Sequence, residues 1–241
     1  MAMIVLRGPA PEWRDGSMKI SRLRVSGWEC AIRGMRFPLN SDNKYDTKID
    51  WCEDMGEVPE LGPRDLSLLM RLCGAGRDHR KVLRMLHVQT AVAMPMSWWC
   101  QMDTYKVGTT ANSRSRMHRF GSALLDRSDF YVEDWDGAME SILTEINRLI
   151  TKFKTGAEDE AKAAWRKALD ILPMSYVQER MLDLNYEVIA GMFHSRWNEK
   201  LGREWKFFLS TMLNACPYLN GVVEAVASQR SLTTEEFNAK A

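Results

Sequence analysis

The chain has no apolar run of the ~18 residues that a membrane span needs. Its start, Met1-Ala-Met-Ile-Val-Leu-Arg7, lacks the basic lead and long apolar core of a signal peptide. Histidine is scarce: His79, His87, His118 and His194 show no metal-ligand spacing such as His-Glu-x-x-His, so no metal is expected. The cysteines Cys30, Cys52, Cys73, Cys100 and Cys216 are odd in number, widely spaced and without a Cys-x-x-Cys pair. That argues against a disulfide framework and against zinc, and fits reduced thiols in the cytoplasm. Neither charge sign dominates, with 33 Lys+Arg against 32 Asp+Glu. Bulk binding of nucleic acid or of an acidic membrane through overall charge is disfavoured, though a local basic patch is not. No Gly-x-Ser-x-Gly, Walker loop, Rossmann Gly-x-Gly-x-x-Gly or Cys/His nucleophile pair occurs, which excludes the usual serine-hydrolase and nucleotide-cofactor motifs.

What is present is bulk for a core. Nine Trp and 16 Met in 241 residues bury area and fill irregular gaps, and they also suit pockets for flat rings. Residues 1–17 read as a loose extension, 18–228 as one α+β domain and 229–241 as a polar tail. Lys19 to Ser26 alternates polar and apolar residues like a strand. Glu29 to Met35 suits a short helix. Residues 37–63 are rich in Pro, Gly, Asn and Asp and read as loop, with an extended piece near Ile49 to Cys52. Asp65 to Cys73 follows Pro63 as a helix, a short helix starts near Asp78, and Met85 to Val92 suits a strand. Pro95 opens a helix to about Asp103. From Asp134 the periodicity predicts helices only: Trp135 to Ile150, Ala157 to Leu169, a long one from Tyr176 to Trp197, then Trp205 to Leu213 and Val222 to Ala227. The fold class expected is a small β-sheet flanked by helices, with a helical C-terminal half.

Three constellations carry chemistry. The segment Thr104 to Arg116 turns abruptly from an apolar Met/Trp stretch to hydroxyl, amide and basic residues around Gly108. Arg114 and Arg116 suit charge-assisted bonds to a phosphate, and Gly108 permits close backbone approach. The segment serves equally as a solvated surface loop. Arg180, Asn185, His194 and Arg196 fall broadly on one side of the expected long helix, either as a site or as an ordinary polar face. Asp78-His-Arg-Lys-Val-Leu-Arg84 places cations at an expected helix start, against the helix dipole, which suggests an anion nearby or a solvated basic turn.

These constellations, in this order, resemble the flavin-dependent thymidylate synthases, the ThyX family, over roughly residues 20–215. His79, Pro95 and Gln101 match without a gap. Thr104-Tyr-Lys106 stands where the family has Arg-His-Arg, and Val107-Gly-Thr109 is similar to its Ile-Gly-Ser step. Asn112 falls at or beside the Asn-Glu pair, and Arg116 at the late Arg. Leu172-Pro173, Arg180, Asn185 and Arg196 resemble its Leu-Pro…Arg…Asn…Leu-Arg stretch, and Glu204-Trp205 its Gln-Trp-Glu step. With Asp103-Thr-Tyr-Lys-Val-Gly108, the chain looks still more like a branch found in phages and Firmicutes. The resemblance implies a cytoplasmic protein of a bacterium or a phage-infected cell. It implies FAD held by His79, Arg84, Tyr105, Lys106, Asn112, His194 and Arg196. It implies a pyrimidine nucleotide such as dUMP held by Gln101, Thr104, Arg114, Ser115, Arg116 and Arg180, with a folate as one-carbon donor. It also implies a homotetramer with sites at subunit interfaces. No residue is assigned as catalytic. Because Arg-His-Arg has become Thr-Tyr-Lys, a non-catalytic ThyX descendant that binds nucleotides or partners is the alternative.

Overall fold

A tight turn at Gly16 joins the first two strands of the sheet. The structure, a computed structural model, describes residues 12–198 and 201–228. β1 (Trp13–Asp15) pairs antiparallel with β2 (Met18–Ser26), so the last part of the extension expected over 1–17 belongs to the sheet. Residues 1–11 and the tail from 229 lie outside the described residues. The alternation from Lys19 makes the strand it predicts, with Met18, Ile20, Leu23 and Val25 buried. A bulge between Ser21 and Arg24 puts Arg22 at φ 54°, and the Ser21 carbonyl it turns accepts from Thr90 Oγ1 at 3.0 Å.

α1 (Trp28–Arg36) follows Gly27 as expected. The stretch read as loop over 37–63 contains a hairpin, β3 (Lys48–Cys52) and β4 (Gly56–Glu60). The extended piece near Ile49 is β3. Its partner is hidden in sequence because Gly56 and Pro59 look like breakers, yet they sit near a sheet edge where few ladder bonds are required. α2 (Pro63–Gly74) begins at Pro63. It is anchored by Asp65, fully buried, which accepts from Arg36 Nε at 2.6 Å, Thr47 Oγ1 at 2.6 Å and the Asp46 N–H at 2.9 Å. A short 3-10 turn over Arg80–Arg84 precedes β5 (His87–Pro95), where the strand expected at Met85 to Val92 begins two residues later and ends three later. α3 (Met96–Met102), β6 (Thr109–Ser113) and α4 (Arg116–Ser122) come next, followed by α5 (Gly137–Thr155) and α6 (Glu158–Asp170). Then come β7 (Val177–Asn185), α7 (Tyr186–Arg196), α8 (Gly202–Ala215) and α9 (Leu219–Ala227).

Two expectations are corrected here. The long helix over 176–197 is a nine-residue strand followed by a helix, with the break at Asn185, whose side chain caps α7 by accepting from the Val188 N–H at 3.0 Å. Gln178, Arg180, Leu182 and Leu184 therefore lie on one sheet face, and Arg180 does not share a helix with His194 and Arg196. Composition hid the strand: beyond Val177 it has no β-branched residue, and its Gln, Glu, Arg, Met and Leu favour helices until pairing with β5 along its whole length and with β6 from Arg180 to Leu184 overrides them. The second correction concerns Thr104 to Arg116, which is not one loop, because β6 runs through it.

The sheet order is β3-β4-β2-β5-β7-β6, with β1 beside β2, antiparallel except for the single β2–β4 contact at Val25 and Gly56. One face meets the main core, where Trp28, Trp98, Trp99, Trp205, Tyr186 and Phe208 are the largest fully buried side chains. A second cluster, of Phe120, Leu143, Ile146, Leu149 and Ile150, holds α4, α5 and α6 together. The other face of the central strands is open: Gln89, Met181, Thr110 and Asn112 are exposed.

Candidate ligand-binding site

Pro95 starts α3 at the end of β5, and the turn is fixed to the neighbouring chain by Met96 N–H to Tyr176 O and Ser97 N–H to Met174 O, each 3.0 Å. Trp98 and Trp99 point inward, and Trp99 Nε1 donates to Gln178 O at 2.9 Å, pinning α3 across β7. The far end of α3 therefore delivers Gln101, Asp103 and Tyr105 to one place.

There the side chains interlock. Gln101 Oε1 accepts from Trp205 Nε1 at 2.6 Å. The Tyr105 hydroxyl is 2.6 Å from Ser195 Oγ and accepts from Arg196 Nε at 3.0 Å. The Arg196 guanidinium lies 5.5 Å from the Tyr105 ring and 5.6 Å from the Trp205 ring, within range of a cation–π attraction. Beside this group, Arg180 stacks 4.2 Å over Trp99, donates from Nη1 to Asp103 Oδ1 at 2.7 Å and from Nε to Gln178 Oε1 at 3.2 Å. A cavity of about 210 Å³ opens between Trp99, Met102, Asp103, Tyr105, Lys106, Thr109, Ala111 and Leu182. In its wall the Thr109 hydroxyl is buried without a hydrogen-bond partner.

Gly108 makes the close approach expected of it, at φ 76°, but toward protein. A Cβ there would lie 2.4 Å from Asn185 Nδ2, and the Gly108 carbonyl accepts from the Asn185 N–H at 3.1 Å. That contact joins the start of β6 to the cap of α7, the helix that carries Ser195 and Arg196.

Arg114, Ser115 and Arg116 stand at the other end of β6, whose five residues span roughly 17 Å. Arg114 pairs with Glu179, and Ser115 Oγ caps α4 by accepting from the His118 N–H at 3.4 Å. They border a cleft of about 410 Å³ with Lys19, Arg119, Asp129 and Gln178, in which Arg119 Nη2 reaches both Asp129 oxygens at 2.9 and 2.8 Å. Arg116 is half-buried at the first position of α4.

The structure thus brings Gln101, Thr104, Tyr105, Lys106 and Arg196 together, with Arg180 alongside. It separates Arg114, Ser115 and Arg116 from them. Thr104 spends its hydroxyl on the Gln101 carbonyl at 2.7 Å, and exposed Arg84 donates to the Arg77 carbonyl at 3.1 Å. His79 is exposed at the head of the turn over 80–84, His194 is exposed on α7, and Asn112 lies on the open sheet face. The sequence does not single out Asp103 or Ser195 as site residues, and Thr109 reads there as one hydroxyl of the segment from Thr104 to Arg116. The end of α3 brings Asp103 to the cluster, strand pairing brings Thr109 and the turn into α7 brings Ser195, and the sequence signal for the last two was weak.

Among the described residues no His/Cys/Asp/Glu group could hold a metal, and no helix is long and apolar enough to cross a membrane. No family model and no curated protein matches the chain. Solved structures do. Two of thymidylate synthase X from Helicobacter pylori, each with FAD and dUMP, have TM-scores of 0.62 and 0.61 at 12% identity. The match covers 85% of this chain and 98% and 99% of theirs. The fold is therefore the mixed α+β fold of ThyX.

Proposed function

We propose that the chain is a divergent ThyX-like protein, of the phage and Firmicutes type, that binds FAD and a pyrimidine nucleotide. The observation that carries this is the likeness of fold over nearly the whole of the ThyX structures that hold FAD and dUMP. The cluster at the end of α3 supports it from chemistry. Half-buried Tyr105 offers a ring to a flat partner, Arg196 a cation beside it and Gln101 an amide, while fully buried Trp205 backs them from the core. FAD fits these residues in part: a cavity of about 210 Å³ is small for a three-ring system, and Tyr105, Lys106 and Arg196 are the residues that would hold the flavin. Bound there it would supply the hydride of a one-carbon transfer, with a folate as carbon donor. The chain's own groups would orient the rings and hold the phosphates, Arg114, Ser115 and Arg116 being the phosphate candidates.

Those arginines stand at the far end of β6 from Tyr105, so one chain offers the parts of a site in two places. We place the completion of the site at subunit interfaces of a homotetramer.

One observation favours a second reading, a nucleotide-binding descendant without thymidylate synthesis. Thr104-Tyr-Lys106 keeps one cation of three, and Arg84 does not reach the cluster to replace the others. The test is complementation of a thymidine-requiring bacterium, followed by tritium release from 5-labelled dUMP. The expected outcome is failure of ordinary dTMP synthesis, or activity on another pyrimidine nucleotide or with another outcome such as hydroxymethylation. Robust growth without thymidine would show that Thr104-Tyr-Lys106 supports the ordinary reaction.

A further inference from the structure

The cavity beside Asp103 is walled by apolar and aromatic side chains, yet it carries three polar groups of different kinds. Asp103 brings a carboxylate, which can only accept. Lys106 brings an ammonium, which can only donate. Thr109 brings a hydroxyl that can do either and whose oxygen is buried with no partner. A buried hydroxyl left unpaired costs free energy, and a turn about the Thr109 Cα–Cβ bond would present it to a group bound in the cavity. The volume, about 210 Å³, is room for roughly seven waters at ~30 Å³ each, enough for one substituted six-membered ring and below the range of drug-sized pockets.

The geometry points to a cavity that takes the base of a cytosine nucleotide in preference to uracil. This rests on the reading of the site as a pyrimidine-nucleotide site. Uracil flanks its single ring N–H with two carbonyl oxygens, so a carboxylate facing that edge meets two like dipoles. Cytosine projects an exocyclic amine with two N–H donors, and an aspartate accepts well from that amine. The ring nitrogen next to it is an acceptor that the Thr109 hydroxyl can satisfy, and the 2-oxo group suits Lys106. Arg180, held on Trp99, already bonds one Asp103 oxygen at 2.7 Å, which orients the carboxylate.

Titration of the full chain with dCMP and with dUMP, in the presence of FAD, tests this. The wild type should bind dCMP at least tenfold more tightly. Asp103→Asn, whose amide can donate to a 4-oxo group, should abolish or reverse that preference. Thr109→Val should weaken dCMP binding about fivefold while the melting temperature holds or rises, because the hydroxyl it removes is unpaired in the free protein. Equal or tighter binding of dUMP by the wild type overturns the inference and leaves the proposed function standing. So does an unchanged preference in Asp103→Asn, and if that variant fails to fold, unchanged dCMP affinity in Thr109→Val does the same. Binding of neither nucleotide overturns both.

Discussion

Arg196 donates from Nε to the hydroxyl of Tyr105 at 3.0 Å, bringing a guanidinium from the end of α7 to a segment, Thr104 to Lys106, that has no arginine of its own. The guanidinium beside Tyr105 thus comes from 91 residues away in the sequence. Replacing Arg196 with Ala should weaken FAD binding by roughly tenfold or more, the ~1.5–3 kcal/mol of a hydrogen bond to a charged group. Lysine, which keeps the charge but not the fork, should recover only part of it. Fluorescence titration of FAD against the three proteins gives the comparison, and equal affinities would remove Arg196 from the site.

Arg180 and Arg116 separate in a way the sequence did not suggest. Arg180 is nearly buried, bonded to Asp103 and stacked on Trp99, so Arg180→Ala should lower stability as well as nucleotide affinity. Arg116→Ala should weaken nucleotide binding roughly tenfold with a stability change under ~1 kcal/mol. Urea unfolding and nucleotide titration of both variants decide this. Equal urea midpoints for the two would contradict the packing of Arg180.

Gly108 holds φ 76° against the cap of α7, and a side chain there would strike Asn185 Nδ2. Gly108→Ala should destabilise by about 1–3 kcal/mol through backbone strain alone. It should also loosen Arg196, because α7 is capped by the residue being pushed. A thermal melt that matches the wild type would show that the turn tolerates the change.

How legible was this arrangement? The strand at Lys19, the helix at Pro63 and the helix at Pro95 announce themselves by alternation or by a proline at a helix start. α3 could therefore be placed before its surroundings were known. β7 could not, because its residue types favour helices and only pairing on both sides makes it a strand. That one misreading put Arg180 on a helix with Arg196, although the two reach neighbouring parts of the cluster from a strand and from a helix. Strand β6, likewise unmarked in the sequence, sets Thr104 and Arg116 at its two ends. Asp103 was visible in the sequence as part of the Asp103-Thr-Tyr-Lys run, but its partner Arg180 was not.

The buried ion pair of Arg36 and Asp65 lies far from the cluster and tests the scaffold alone. Asp65→Ala leaves the guanidinium of a residue that is 3% exposed without its carboxylate, and also strips Thr47 and the Asp46 N–H of their acceptor. The expected loss is about 3–5 kcal/mol, or roughly 10 °C at 2–4 °C per kcal/mol. Ligand affinities in the surviving folded protein should hold.

Burial pushes the Cys73 thiol up to about 12, and Cys216 is raised further by the same cause. Both stay protonated when folded, so unfolded chains lose protons first as pH rises. Their contribution to stability is full below the ordinary thiol range and declines from there toward pH about 12. At pH 8 a thiol reagent should react quickly with exposed Cys30 and Cys100 and reach Cys73 and Cys216 only in denaturant. Fast modification of all five in the native protein would contradict the burial.

The most direct test of the central claim is the visible spectrum of the purified protein, followed by titration with FAD. The account predicts a yellow protein, or an apoprotein that quenches added FAD at a saturable site and gains thermal stability when FAD and a pyrimidine nucleotide are present together. A colourless protein that neither quenches FAD nor shifts its melting temperature with both ligands would contradict it.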